Sequence, residues 1–161
     1  MRYIKYFIQF LFAILSFLIF KILGPSLSSK LSGKIFKLIG PFFRSKDIIH
    51  SNIKRGIPNI SSEKLDKIAN LMWNNYGNVF AEFMFLKNFR YGNLSSKIQV
   101  DGQDILDEIK KSNKQVIFIS GHFCNFELMA MYLEKTGINL ATIYRPLNNF
   151  CLLYTSPSPR D

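Results

Sequence analysis

From Tyr6 to Phe20 the chain carries no charged residue, and the run YFIQFLFAILSFLIF is almost wholly apolar and strongly aromatic. It continues past Lys21 through Ile22 and Leu23. As a helix rising about 1.5 Å per residue, the uncharged part reaches roughly 22 Å, against ~30 Å for a bilayer hydrocarbon core. Both of its faces are apolar, so burial in a protein core would require cover for large aromatics on every side. Lipid provides that cover. The following GPSLSSKLSGK has no convincing small-x-small cleavage pattern, which favours an uncleaved anchor over a secretory signal. Basic residues flank both ends, Arg2 and Lys5 before and Lys21, Lys30, Lys34 and Lys37 after, so their distribution gives little orientation.

Gly24-Pro25 is expected to end this first helix. Between Leu27 and Phe43, Leu, Ile and Phe alternate with Lys30, Lys34 and Lys37 at three- and four-residue steps, which puts the lysines on one side of a helix. The same spacing describes a solvated face on a docked helix. Its place directly after the anchor selects a basic amphipathic element on an anionic membrane surface. Residues 1–43 are therefore read as one membrane-associated unit. The formal charge of +10, from 21 basic and 11 acidic side chains, calls for an anionic partner. No nucleic-acid motif is visible, and the basic residues gather beside the apolar run, so the partner is expected to be a membrane rather than nucleic acid. Cys124 and Cys151 alone suggest no disulfide framework.

Downstream, Ser61 or Ser62 offers an N-cap with Glu63 in the first turn. Leu65, Ile68, Met72, Tyr76, Val79, Phe80 and Phe83 then mark a buried stripe along a helix predicted to end near Leu86. Asp104 to Lys111 reads as a short helix, QVIFIS at 115–120 as a buried strand, Glu127 to Lys135 as a helix capped by Gly137, and LATIY at 140–144 as a second strand. This order predicts a β-α-β unit with a right-handed crossover. The fold class expected is α/β, a helical membrane-associated N-terminal region followed by a mainly parallel sheet with flanking helices.

The turn after the first of these runs reads Ser120-Gly121-His122-Phe123-Cys124-Asn125-Phe126-Glu127. In one regular helix, five positions would rotate His122 and Glu127 by about 140° and point them apart. With His122 in the turn and Glu127 in the first helical turn, the loop folds back and carboxylate meets imidazole, Gly121 relaxing the backbone at the bend. A carboxylate on one ring nitrogen fixes the tautomer and leaves the other nitrogen to take a proton from an attacking hydroxyl. On spacing alone, a structural histidine is the commoner case. A zinc site from His122, Cys124 and Glu127 is disfavoured, because all three come from one short loop without an outside ligand. No metal or cofactor is expected.

GHFCNFE at 121–127 resembles the GHFGNWE of the lipid A lauroyl/myristoyl acyltransferases, within the wider group of acyltransferases sharing a His-x4-Asp/Glu motif. Tyr144-Arg145-Pro146-Leu147-Asn148-Asn149 resembles that family's YRPxxNP block, and the order of anchor, basic segment, helical region and sheet is similar too. The likeness runs from Met1 to about Phe150. It implies transfer of a fatty acyl chain from an acyl carrier protein to a hydroxyl of an anionic lipid A precursor, at the cytoplasmic face of a bacterial inner membrane. His122 would be the general base and Glu127 its orienting carboxylate. Arg145 would contact a phosphate or the transition state, and Asn125 and Gly121 would help bind substrate. The motif alone also fits glycerol-phosphate or lysophospholipid acylation, and charge alone fits a non-enzymatic basic membrane-binding protein. Cys124 stands where the family has Gly and Phe126 where it has Trp, which bears on chain-length preference rather than catalytic identity.

Residues 44–150 are accordingly read as the N-terminal part of an acyltransferase domain. The stretch 151–161, CLLYTSPSPRD, leaves the family pattern abruptly and looks like a translated sequencing adapter. A chain ending there is expected to be a truncated, inactive fragment.

Overall fold

The computed structural model describes residues 2–112, 114–121, 123–143 and 149. Its first element, α1 (Arg2–Ile39), consists of two helical arms meeting at Gly24, whose φ of 75° and ψ of 170° are open essentially only to glycine. Pro25 starts the second arm, where its missing N–H costs nothing. The break predicted at this dipeptide is where the bend occurs. A carbonyl freed at the end of the first arm is recovered when Ser28 Oγ donates to Phe20 O at 2.8 Å.

The first arm turns its large apolar side chains outward, and only 6% of the most apolar window of α1 is buried. A core helix would be mostly covered, so this helix, long and apolar enough to cross a membrane, has the surface of a lipid-facing one. The second arm has two faces. Ser28, Ser32 and Gly33 are buried on one, while Leu27, Leu31, Ile35 and Leu38 form an exposed stripe on the other, with exposed Lys30, Lys34 and Lys37 along its flank. A 3-10 turn at Gly40–Phe42 prolongs this arm.

The buried face lies on α3 (Ser62–Glu82), which starts at the expected cap, Ser61 Oγ accepting from Lys64 N. The contact is made of small residues. A Cβ on Gly77 would run into the Ser32 carbonyl, one on Gly33 into the amides of Asn74 and Asn78, and one on Gly40 into the Trp73 ring. Ala81 is wholly buried beside them. Only Leu65 of the predicted large-residue stripe is fully buried; Tyr76 and Phe83 stand out at 56% and 45% exposure. The helices approach too closely for large side chains, so the buried line runs through Gly77 and Ala81 instead.

At the bend, Phe20, Ala81, Phe85 and Leu94 form the core, with Phe17, Phe80, Met84 and Phe89 packed round it. Phe80 meets the rings of Phe17, Phe20 and Phe36 at 5.4, 6.0 and 5.5 Å. Phe20, buried at 5% exposure, contributes about 2 kcal/mol by area, and the half-buried rings less. A 3-10 turn at Phe83–Phe85 leads into α4 (Leu86–Tyr91). At the far end of α3, α2 (Lys46–Gly56) is tied down where Asp66 meets Lys46 at 2.9 Å and His50 at 3.1 Å.

α5 (Gln103–Ser112) and α6 (Glu127–Lys135) form where the sequence placed them, and Gly137, at φ 86°, closes α6 with Gly137 N donating to Glu134 O. The sheet does not form. Among the described residues there is no strand: 114–121 and 138–143 have no ladder, and Ile117, Ile119 and Ile143 are 89%, 92% and 106% exposed. The expected α/β class with a parallel sheet is thus corrected to an all-helical arrangement with two unpaired apolar segments. Both have strand-like residue types, but a strand exists only through a neighbour's backbone, and one crossover helix covers too little of two short runs to hold them together.

Two predictions follow from this packing. Gly77→Leu should destabilise the protein by about 2–3 kcal/mol or more, as overpacking against backbone does, measured by thermal unfolding of the detergent-solubilised protein. Lys46, chiefly through its hydrogen bond, and then His50 hold the Asp66 carboxyl below its ordinary value of 3.8. The lowered folded-state value makes this contribution fully present above the unfolded carboxylate range and lost as pH falls through the folded value. Tm should therefore be flat from neutrality to about pH 4 and fall below it, with a shallower acid limb in Asp66→Asn.

Candidate active site

α6 carries the predicted carboxylate at its first residue, Glu127, where the positive end of the helix dipole favours an anion. Three side-chain ties from neighbouring helices set α6 in place. Arg90 of α4 pairs with Glu134, Tyr132 Oη donates to Gln103 Oε1 at 2.8 Å, and Lys110 Nζ donates to Thr136 O at 2.6 Å. Glu134, chiefly through its hydrogen bond and with a smaller contribution from Tyr91, raises the Arg90 pKa above its already high ordinary value. Glu127 itself is half-buried and makes no hydrogen bond or ion pair among the described residues, so its oxygens remain available.

The loop before α6 is tightly wound. Phe123 N donates to Gly121 O at 2.8 Å, Leu128 N to Asn125 O at 3.2 Å and Met129 N to Phe126 O at 3.2 Å. A Cβ on Gly121 would press on the Phe123 ring, which is exposed and free to give way. Cys124 adopts φ 46°, a left-handed conformation that costs a side-chain-bearing residue of order 1 kcal/mol and suits glycine. This gives a backbone reason for the glycine that the resembling motif carries at this position. The thiol is free and exposed, standing outside rather than packed beside the loop.

Asn125 is anchored from across the fold. Its Nδ2 donates to Glu82 Oε2 at 3.1 Å, and the other oxygen of that carboxylate, Oε1, accepts from Ser29 Oγ at 2.9 Å. One carboxylate at the end of α3 thus joins the motif loop to the second arm of α1. The sequence reading missed Glu82. A signal was present: it is the sole acidic residue between Asp66 and Asp101, set in the apolar run VFAEFMF.

His122 and Arg145 lie outside the described residues, as do 144–148 and the tail 151–161, so among the predicted site residues the structure places Gly121, Asn125 and Glu127. It brings these three together in one loop and helix start. The second motif is represented by Asn149, buried at 6% exposure, whose Nδ2 donates to Tyr6 O at 3.0 Å and Gln9 Oε1 at 3.2 Å. That contact sets the end of the motif against the apolar first arm, and gives a partner to Gln9 in a segment otherwise made for lipid. Among the described residues no group of three or more His, Cys, Asp or Glu side chains is arranged to hold a metal ion.

Comparison with known protein families matches residues 1–159 to the family described as bacterial lipid A biosynthesis acyltransferase. Searches of curated proteins and of solved structures returned no match. The matched range takes in both motifs, the bent apolar helix and the helices between them. With nearly its whole length accounted for in this way, the chain belongs to the bacterial lipid A biosynthesis acyltransferase family.

Proposed function

We propose that this acyltransferase moves a fatty acyl chain from an acyl carrier protein thioester to a hydroxyl on a lipid A precursor, with His122 as general base and Glu127 as the carboxylate that orients it. The observation that supports this reading most is Glu127. It is a half-buried carboxylate at a helix start, without a partner among the described residues, and stands five positions after His122 in the sequence.

In the proposed step the acceptor hydroxyl gives its proton to the imidazole as its oxygen attacks the thioester carbonyl. The new C–O bond forms, the C–S bond breaks, and the departing thiolate recovers the proton from the imidazolium. Glu127 stabilises that imidazolium and holds the correct tautomer. Arg145 serves a phosphate of the acceptor or the developing oxyanion, for which a planar fork of donors is suited. The reaction uses no covalent enzyme intermediate.

The setting fits an amphiphilic acceptor. The lipid-facing first arm, the outer stripe of Leu27, Leu31, Ile35 and Leu38, and the lysines beside it form one apolar and basic surface for an anionic bilayer. In this reading the catalytic loop works at the cytoplasmic face of the bacterial inner membrane, where acyl carrier protein is supplied. The surplus of +10 also favours an acidic carrier protein.

In the full-length enzyme, His122→Ala should lower turnover about 10³-fold and Glu127→Gln about 10²-fold, the range spanned by positioned acid–base groups. Acyl transfer from carrier-protein thioester to lipid A precursor in membrane vesicles measures this. Turnover that persists in both variants overturns the mechanism. Transfer to glycerol phosphate or lysophospholipid in preference to the glycolipid overturns the acceptor assignment.

A further inference from the structure

We infer that Glu82 is a positioning residue for acyl transfer: it fixes which end of the Asn125 amide faces the motif loop, and registers that loop on the bent membrane helix. The inference rests on the reading of the 121–127 motif as the catalytic loop.

Carboxylate oxygens accept hydrogen bonds, and the group that Asn125 turns towards Glu82 is its NH2 end. The 3.1 Å contact between Nδ2 and Oε2 has this polarity. The amide oxygen is thereby turned away from Glu82. Oδ1 is buried and has no hydrogen-bond partner among the described residues, although a buried carbonyl left unpaired costs free energy. An acceptor so placed within the motif loop is suited to receive a donor that arrives with the substrate, such as the attacking hydroxyl or an amide of the acyl glycolipid, once the side chains that cover it move aside. Without Glu82 the amide can rotate, presenting NH2 instead of oxygen to that donor.

The second oxygen of Glu82 explains why a carboxylate, rather than any acceptor, sits here. It accepts from Ser29 Oγ on the second arm of α1, so both oxygens are engaged by donors from opposite sides. No cation faces Glu82 among the described residues, which sets it apart from an ordinary ion pair. Its position is fixed by the close contact one turn earlier, where Gly77 lies on Ser32, and by the fully buried Ala81 beside it. A lone acid in an aromatic segment is costly to accommodate without such partners. Here the partners come from two elements far apart in the sequence, the bent apolar helix and the motif loop.

The pair can be inverted. Asn125→Asp places two carboxylates against each other. Combining it with Glu82→Gln restores a donor–acceptor contact, keeps an acceptor oxygen where Oδ1 was, and leaves an oxygen for Ser29. In the full-length enzyme in membrane vesicles, Glu82→Ala and Asn125→Asp should each lower kcat about ten-fold or more. KM for the acyl carrier thioester should stay within about two-fold in both. The Glu82→Gln/Asn125→Asp double variant should return to within about three-fold of the parent kcat. Helix content by circular dichroism reports folding, and if Glu82→Ala does not fold the double variant still provides the test, since it keeps every hydrogen bond of the pair. Wild-type kcat in Glu82→Ala, or a double variant no faster than Asn125→Asp, overturns the inference. His122→Ala assayed in parallel separates the two readings: full activity there removes the catalytic loop itself, whereas an inactive His122→Ala with no rescue in the double variant removes only the role of Glu82.

Discussion

The contact of Gly77 with the Ser32 backbone is the constraint on which the rest of this structure depends. Helices in or beside a bilayer gain little from burying large apolar side chains against each other, because lipid is as apolar as they are. Small residues let backbones come close, and dispersion and local hydrogen bonds then hold them. Ser28, Ser32, Gly33, Gly77 and Ala81 make such a surface between the second arm of α1 and α3. The bend at Gly24 is its complement. It turns the first arm away from this contact while bringing Phe17 and Phe20 back onto Phe80, so one helix serves both the bilayer and the protein core.

From that contact the functional elements follow in sequence. Directly after Ala81 and little more than one turn beyond Gly77, Glu82 emerges between Ser29 and Asn125, and the motif loop is thereby referred to the bent apolar helix rather than to a distant scaffold. α6 extends from the loop and is held by Arg90, Gln103 and Lys110 from the two helices before it. Asn149 closes the circuit on the first arm through Tyr6 and Gln9. The proposed transfer brings a soluble thioester and a membrane-held hydroxyl to one point, and a motif loop keyed to the apolar helix suits that proposal.

What was legible in the sequence was what is decided locally. The uncharged run to Phe20, the break at Gly24-Pro25, the Ser61 cap, α5, and α6 with its Gly137 terminus each depend on residues a few positions apart, and each is found where the residues put it. The failures are non-local. QVIFIS and LATIY have the β-branched, apolar character of strands, yet pairing depends on an edge that local sequence cannot supply, and the described parts of both runs are unpaired. The buried stripe of α3 was sought among large residues, whereas the interface selects small ones, so Tyr76 and Phe83 were mistaken for core and Gly77 went unnoticed. Glu82 was visible as an isolated charge in an aromatic run. Only the fold shows that its two partners come from 53 residues before it and 43 after.

The close approach of α1 and α3, and its compatibility with turnover, can be measured by paired cysteines at positions 33 and 74 in a variant whose native cysteines are replaced by serine. A Cβ at position 33 would lie against the Asn74 side chain, so side chains at the two positions are in direct contact once the flexible Asn78 amide, which it would also meet, swings aside. Mild oxidation in native membranes should cross-link the pair nearly completely while acyl transfer continues at its uncross-linked rate. Failure to cross-link, or a loss of turnover that reduction restores, would contradict the arrangement on which the 121–127 motif loop is placed.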